Sequence, residues 1–214
     1  MATVHEALTL ALARQQRGDL IQAERIYQQV LAVRPTQPDA LHLLGMLKYE
    51  AGQLQTALGY VEQAVQVRPD HAPYSNSLGI LLVAAGRHKE ALAWFERALQ
   101  LKPDYADAHS NLGRLHHEQG HFQEAVASCR RALEIEPSHA DALYNLGNSL
   151  CAVKEWDAAV AAYQQAITLR PAFANAHNNL AGALLALGRA EEAIAHYRQA
   201  VAIRPAGRGP RRTP

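Results

Sequence analysis

A proline returns every 34 residues along this chain, at Pro35, Pro69, Pro103, Pro137, Pro171 and Pro205. A period held without slip marks one supersecondary unit copied in tandem, and it overrides what length alone says about domain count. Stacked copies bury a continuous core between neighbours and present a long surface rather than one enclosed pocket. The pattern therefore favours a chain that holds a partner over one that transforms a substrate.

With position 32 of each unit set on the proline, the units are 4–37, 38–71, 72–105, 106–139, 140–173 and 174–207. Residues 208–214, with Arg208, Arg211 and Arg212, are left as a basic tail expected to be disordered. Position 7 is leucine throughout: Leu10, Leu44, Leu78, Leu112, Leu146 and Leu180. Position 8 is small (Ala11, Gly45, Gly79, Gly113, Gly147, Ala181), and position 20 is alanine in every unit, from Ala23 to Ala193. Small residues there, and at Ala64, Ala98, Ala132, Ala166 and Ala200, let two helices cross closely. Gly18, Gly52, Gly86, Gly120 and Gly188 mark the end of a first helix in a left-handed turn; Lys154 takes that place in the fifth unit, whose turn is expected to be strained or differently shaped. The second helix should stop before each proline. Thr36, Asp70, Asp104 and Ser138 are then expected as N-caps of the following helix, Thr36/Asp39 and Ser138/Asp141 having capping-box spacing. Every glycine is assigned a place by the repeat.

Composition narrows the function. The residues are 49% hydrophobic but only 6% aromatic, an alanine- and leucine-rich balance suited to helical packing and too apolar for disorder. A net charge of +1 gives no general attraction to nucleic acid or to an acidic membrane. Cys129 and Cys151, expected as buried free thiols, suit a reducing compartment. No signal peptide or membrane span is legible, so the expected location is the cytoplasm.

The leucine at 7, the small residues at 8, 20 and 27, and the proline at 32 resemble the tetratricopeptide repeat (TPR) over about residues 4–207. The family's usual aromatic at position 11 is replaced by Arg14, Lys48, Leu82, His116, Leu150 and Leu184. The resemblance implies an all-α fold, a right-handed superhelical solenoid of six helix-turn-helix units whose first helices line a concave face. In the family that face draws on positions 2, 5, 6, 9, 12 and 13. Early units place Leu12, Met46, Tyr49, Ile80 and Val83 there, an apolar stretch that either fills a tight inner curve or receives an apolar segment. Later units place Asp107, Arg114, Asp141, Tyr144, Asn148, Asn175 and Asn178, together with Asn111, Asn145 and Asn179 at position 6.

An asparagine carries both a donor and an acceptor, so a row of them can meet the N–H and C=O groups of successive peptide units. An extended peptide advances roughly 10 Å in three residues, close to the helix-to-helix spacing. The motifs Asn111-Leu112-Gly113, Asn145-Leu146-Gly147 and Asn179-Leu180-Ala181 resemble the TPR region of O-linked N-acetylglucosamine (O-GlcNAc) transferases. There the resemblance implies asparagines that hold a polypeptide backbone and aspartates, here Asp107 and Asp141, that touch its side chains. The same asparagines could instead pack between units.

The expected function is thus a non-catalytic protein-interaction scaffold, with a protein or peptide partner and no cofactor, metal, nucleic acid or membrane. The alternative is the substrate-recognition region of an O-GlcNAc transferase-like glycosyltransferase, or of a TPR-linked sulfotransferase, whose catalytic domain lies outside this chain. His116, His117 and His121 cluster near a turn and are expected to be solvated; His109 and His177 are expected to pack against neighbouring helices. The apolar stripe with Ile194, Tyr197 and Val201 is expected either to be covered by a continuation of a longer protein of which this chain is the N-terminal region, or to form a homodimer contact through the last unit.

Overall fold

The computed structural model describes residues 3–203. These form two compact units, residues 3–103 and 104–203. Both are all-α, and among the described residues there are twelve helices and no strand. The fold is a helical-repeat solenoid. The first unit holds α1 (Val4–Gln16), α2 (Leu20–Val33), α3 (Pro38–Glu50), α4 (Leu54–Val67), α5 (Ala72–Ala84) and α6 (His88–Leu101). The second holds α7 (Ala106–Glu118), α8 (Phe122–Ile135), α9 (Ala140–Ala152), α10 (Trp156–Leu169), α11 (Ala174–Ala186) and α12 (Ala190–Ile203). The tail and Pro205 lie outside the described residues.

Each hairpin closes because one partner at position 8 makes room for the other at position 24. A Cβ on Gly79 would stand 2.6 Å from the Phe95 ring, and one on Gly147 would stand 2.5 Å from Tyr163. Phe95 and Tyr163 are themselves fully buried. Burying such a ring contributes about 1.5–3 kcal/mol, so the glycine's loss of helix propensity is offset. All six alanines at position 20 are inaccessible to solvent. Leu10, by contrast, is 51% exposed while Leu44 and Leu180 are fully buried.

The stops behave as the chemistry requires. Arg34, Arg68, Lys102, Glu136 and Arg170, each before a proline, leave the helix with φ between −134° and −141°. Lys154 keeps the left-handed turn of its glycine counterparts, at φ 64°, with the same closing bonds: Lys154 N to Cys151 O at 3.0 Å and Glu155 N to Leu150 O at 2.9 Å. Its turn is therefore the same shape, with strain stored at one non-glycine residue.

The caps differ from expectation. The N-cap residues are Gln37, His71, Tyr105, His139 and Phe173, one position after Thr36, Asp70, Asp104 and Ser138 or their equivalent. The short turn after each proline carries the chain one residue further before helical geometry begins. Only α9 among these five has a side-chain cap: His139 Nδ1 accepts from Ala142 N at 3.1 Å. The capping box of α1 is made by Thr3 and Glu6.

Candidate functional site

Residues at positions 5 and 6 of the first helices meet from one hairpin to the next. In the first unit, His42 Nε2 and Ser77 Oγ share a hydrogen bond of 2.8 Å between α3 and α5. In the second, Asn145 Nδ2 on α9 donates to Ser110 Oγ on α7 at 3.2 Å, and Asn179 Nδ2 on α11 donates to the Tyr144 hydroxyl on α9 at 3.2 Å. Each pair is 35 residues apart, one repeat plus one. The geometry is a rung that ties neighbouring first helices together, whichever polar residue supplies it.

This bears on the asparagines. Asn145 is buried and its amide nitrogen is engaged by Ser110, so it acts as a strut between hairpins. Asn111 is half-buried. Asn179 is half-buried and belongs to a wider network: it also donates to Asn148 Oδ1 at 2.8 Å and accepts from Asn178 Nδ2 at 3.2 Å. The buried Tyr163 hydroxyl donates to the same Asn148 oxygen at 2.8 Å. Burial pushes the Tyr163 hydroxyl well above its ordinary pKa, which keeps it a donor. Tyr144 packs its ring on Phe173 at 4.8 Å between centroids. Asn175 and Asn178 are exposed.

The carboxylates are already paired. Asp141 takes a two-pronged contact from Arg170, at 3.0 and 2.9 Å, and Asp107 meets His139 Nε2 at 3.0 Å. Arg114 is paired with Glu118 at 2.7 Å. The Arg170–Asp141 and Arg114–Glu118 pairs and the Asp107 carboxylate are substantially solvated, so a ligand could compete for them at small cost; the His139 ring is largely covered. The hydrogen bond to Asp107 raises the pKa of His139.

Around the asparagine network lies an open hollow of about 460 Å³, lined by His117, Asn148, Cys151, Trp156, Tyr163, Asn178, Asn179, Gly182, Ala183 and Tyr197. The sequence pattern placed Tyr197 in the apolar stripe of the last unit and did not reveal the hollow. Gly182 was its signal: it occupies position 9, where other units carry Leu12, Met46, Ile80, Arg114 and Asn148. The repeat does not explain this glycine. His117, expected to be solvated, is half-buried; it packs on Phe122 and shares a 3.3 Å hydrogen bond with Ser149, and burial lowers its pKa. His177 is packed, as its neighbours required: Nδ1 lies 3.1 Å from His196 Nδ1, and Nε2 lies 3.2 Å from the Pro171 carbonyl.

In the first unit, Leu12 is exposed and Met46, Tyr49, Ile80 and Val83 are half-buried. Cys129 is buried, its thiol pushed up to about 12 by burial; Cys151 is half-buried and also raised by burial. No group of three or more ligating side chains that could hold a metal occurs among the described residues. No described helix is long and apolar enough to cross a membrane.

Tandem helical hairpins with small residues at the crossing points define a helical-repeat protein, and comparison with known families agrees. Profiles of the tetratricopeptide repeat match residues 2–70 and 104–172 and, separately, 144–208; a TPR repeat profile matches 79–120. The chain belongs to the tetratricopeptide repeat family. No curated protein sequence matches it. Among solved structures, a chain of the APC/C hetero-tetramer Cut9–Hcn1 is similar with a TM-score of 0.90 and 20% identity, over 96% of this chain and 41% of that one. This chain thus spans about two fifths of that protein. PilW, a type IV pilus biogenesis factor, is similar with a TM-score of 0.83 and 23% identity, covering 95% of this chain and 94% of that one. YrrB, described as a TPR protein with an unusual peptide-binding site, gives a TM-score of 0.60 and 20% identity, covering 84% and 93%. At such identities the likeness shows the fold.

Proposed function

We propose that the chain is a non-catalytic interaction module whose residues 104–203 hold an extended polypeptide along α7, α9 and α11. The observation that carries this reading is the amide and hydroxyl surface those helices present: Asn111, Tyr144, Asn148, Asn175, Asn178 and Asn179 are all half-buried or exposed. Such groups match a peptide backbone without regard to its sequence. Asn145 supports the row from behind, while Asp107, Asp141 and Arg114 exchange their present partners for charged side chains of the ligand. YrrB's peptide-binding site is precedent for this use of the fold. In residues 3–103, Leu12, Met46, Tyr49, Ile80 and Val83 take apolar side chains. On α12, Ile194 and Val201 are 50% and 72% exposed, and a second copy of the chain covers them in the proposed homodimer; light scattering that returns a monomer mass at all concentrations removes that contact.

The test is selection of random displayed peptides on the full chain, followed by titration of the best binder. Asn111→Ala combined with Asn175→Ala should weaken that binder about tenfold while the helical circular dichroism of the chain is retained. Equal affinity for wild type and variant ends the reading. Neither residue lines the hollow beside Gly182.

A further inference from the structure

Gly182 stands inside α11, where glycine is less favourable than alanine through its backbone entropy. Elsewhere in the first helices a glycine is required by contact: added Cβ atoms on Gly45, Gly79, Gly113 and Gly147 would come within 2.5–2.7 Å of a neighbour. At Gly182 an added Cβ meets nothing within 4 Å. Packing does not demand this glycine. What its missing side chain does is leave the hollow open, at a position where five other units carry Leu12, Met46, Ile80, Arg114 and Asn148.

The lining specifies an occupant. Trp156 and Tyr197 contribute aromatic surface, Tyr163 being almost wholly buried, and none of the lining residues is Asp, Glu, Lys or Arg. A charged group entering here would lose hydration without a counter-charge, whereas an aromatic ring would gain stacking contacts. The hydrogen-bond chain from Asn178 through Asn179 to Asn148 terminates at Asn178 Oδ1 and Asn148 Nδ2, an acceptor and a donor on two residues that line the hollow. That pair suits a hydroxyl, or an amide next to the ring. The volume, about 460 Å³, leaves room for a side-chain ring in a hollow that stays open to solvent.

We propose that this hollow, kept open by Gly182, is an anchor site for a neutral aromatic side chain, tyrosine above all, carried on the polypeptide bound along α9 and α11. The anchor rests on the groove reading above and adds to it a side-chain preference.

The experiment uses the full chain and labelled peptides of Ser, Asn and Ala, about nine residues long so as to run past three hairpins, each with one central Tyr, Leu, Glu or Lys. By fluorescence anisotropy the tyrosine peptide should bind about tenfold tighter than the leucine peptide, and the charged ones weakest. Gly182→Leu, a better helix former, fills the hollow and abolishes the preference; Gly182→Ala keeps it. Equal affinity for tyrosine and leucine, or a preference that survives Gly182→Leu, overturns the proposal. A second probe separates the anchor from the groove. N-acetyl-tyrosinamide, followed by NMR, should shift the Gly182 amide and the Asn148 and Asn178 side chains in wild type and not in Gly182→Leu. Those shifts without any peptide binding retain the anchor and sink the groove; their absence sinks the anchor.

Discussion

Residues 3–103 and 104–203 link their first helices through the same rung but with different chemistry. His42 and Ser77 make it in the first unit, beside Tyr74, whose hydroxyl donates to Asp39. Asn145 with Ser110, and Asn179 with Tyr144, make it in the second. The histidine is a titratable group in a partly buried place, and the carboxamides are not titratable at all. The repeat thus constrains where a polar contact must be made and leaves its chemistry open. The rung of the first unit becomes sensitive to protons, and those of the second are neutral pairs of donors and acceptors.

The largest expected effect breaks the symmetry between them with pH. Burial, reinforced by the nearby His71 and opposed by Asp39, lowers the His42 pKa from 6.5 to about 4. The folded state therefore binds the proton less readily than the unfolded chain. Stability from this group is complete above pH 6.5 and is lost as pH falls toward 4. At about 1.4 kcal/mol for each pH unit, the loss over that window is roughly 3 kcal/mol. Urea unfolding of the full chain at pH 7 and pH 4.5 should show a larger drop for wild type than for His42→Gln. Equal drops would mean that His42 is protonated in the folded chain and the contrast is empty.

A smaller effect tests the amide rung. Asn145→Ala removes the Ser110 partner inside the second unit and should destabilise it by about 1–3 kcal/mol. Hydrogen exchange should locate the loss in α7 and α9, with α3 and α5 unchanged. Loss of protection spread evenly over both units would show that the rungs do not act locally. The smallest effect runs the other way. Lys154→Gly relieves a left-handed non-glycine residue and should stabilise the second unit by about 1 kcal/mol, raising its melting temperature. A decrease would show that the Lys154 side chain makes a contact worth more than the strain.

Much of the fold was legible in the chain, because helix ends and crossing points depend on local residue types. The left-handed turns at Gly18, Gly52, Gly86, Gly120 and Gly188, and the extended residues before the prolines, are backbone preferences visible one residue at a time. The cap positions were misplaced by one, since a threonine, aspartate or serine near a helix start does not reveal how far the turn runs. The candidate site was only half legible. That Asn148, Asn178 and Asn179 share a surface follows from repeat positions. That Asn145 is buried, that Asn148 accepts from both Asn179 and Tyr163, and that Gly182 leaves a hollow depend on how α9, α10, α11 and α12 come together.

The amino-acid order alone determined the repeating hairpin and which faces pack, because small residues at fixed intervals permit close helix crossings and prolines end helices wherever they stand. Only the tertiary structure decided which polar groups are consumed in holding hairpins together and which stay open to a partner. Hydrogen bonding between side chains 35 residues apart depends on distance and orientation in space, and position within the repeat does not specify either.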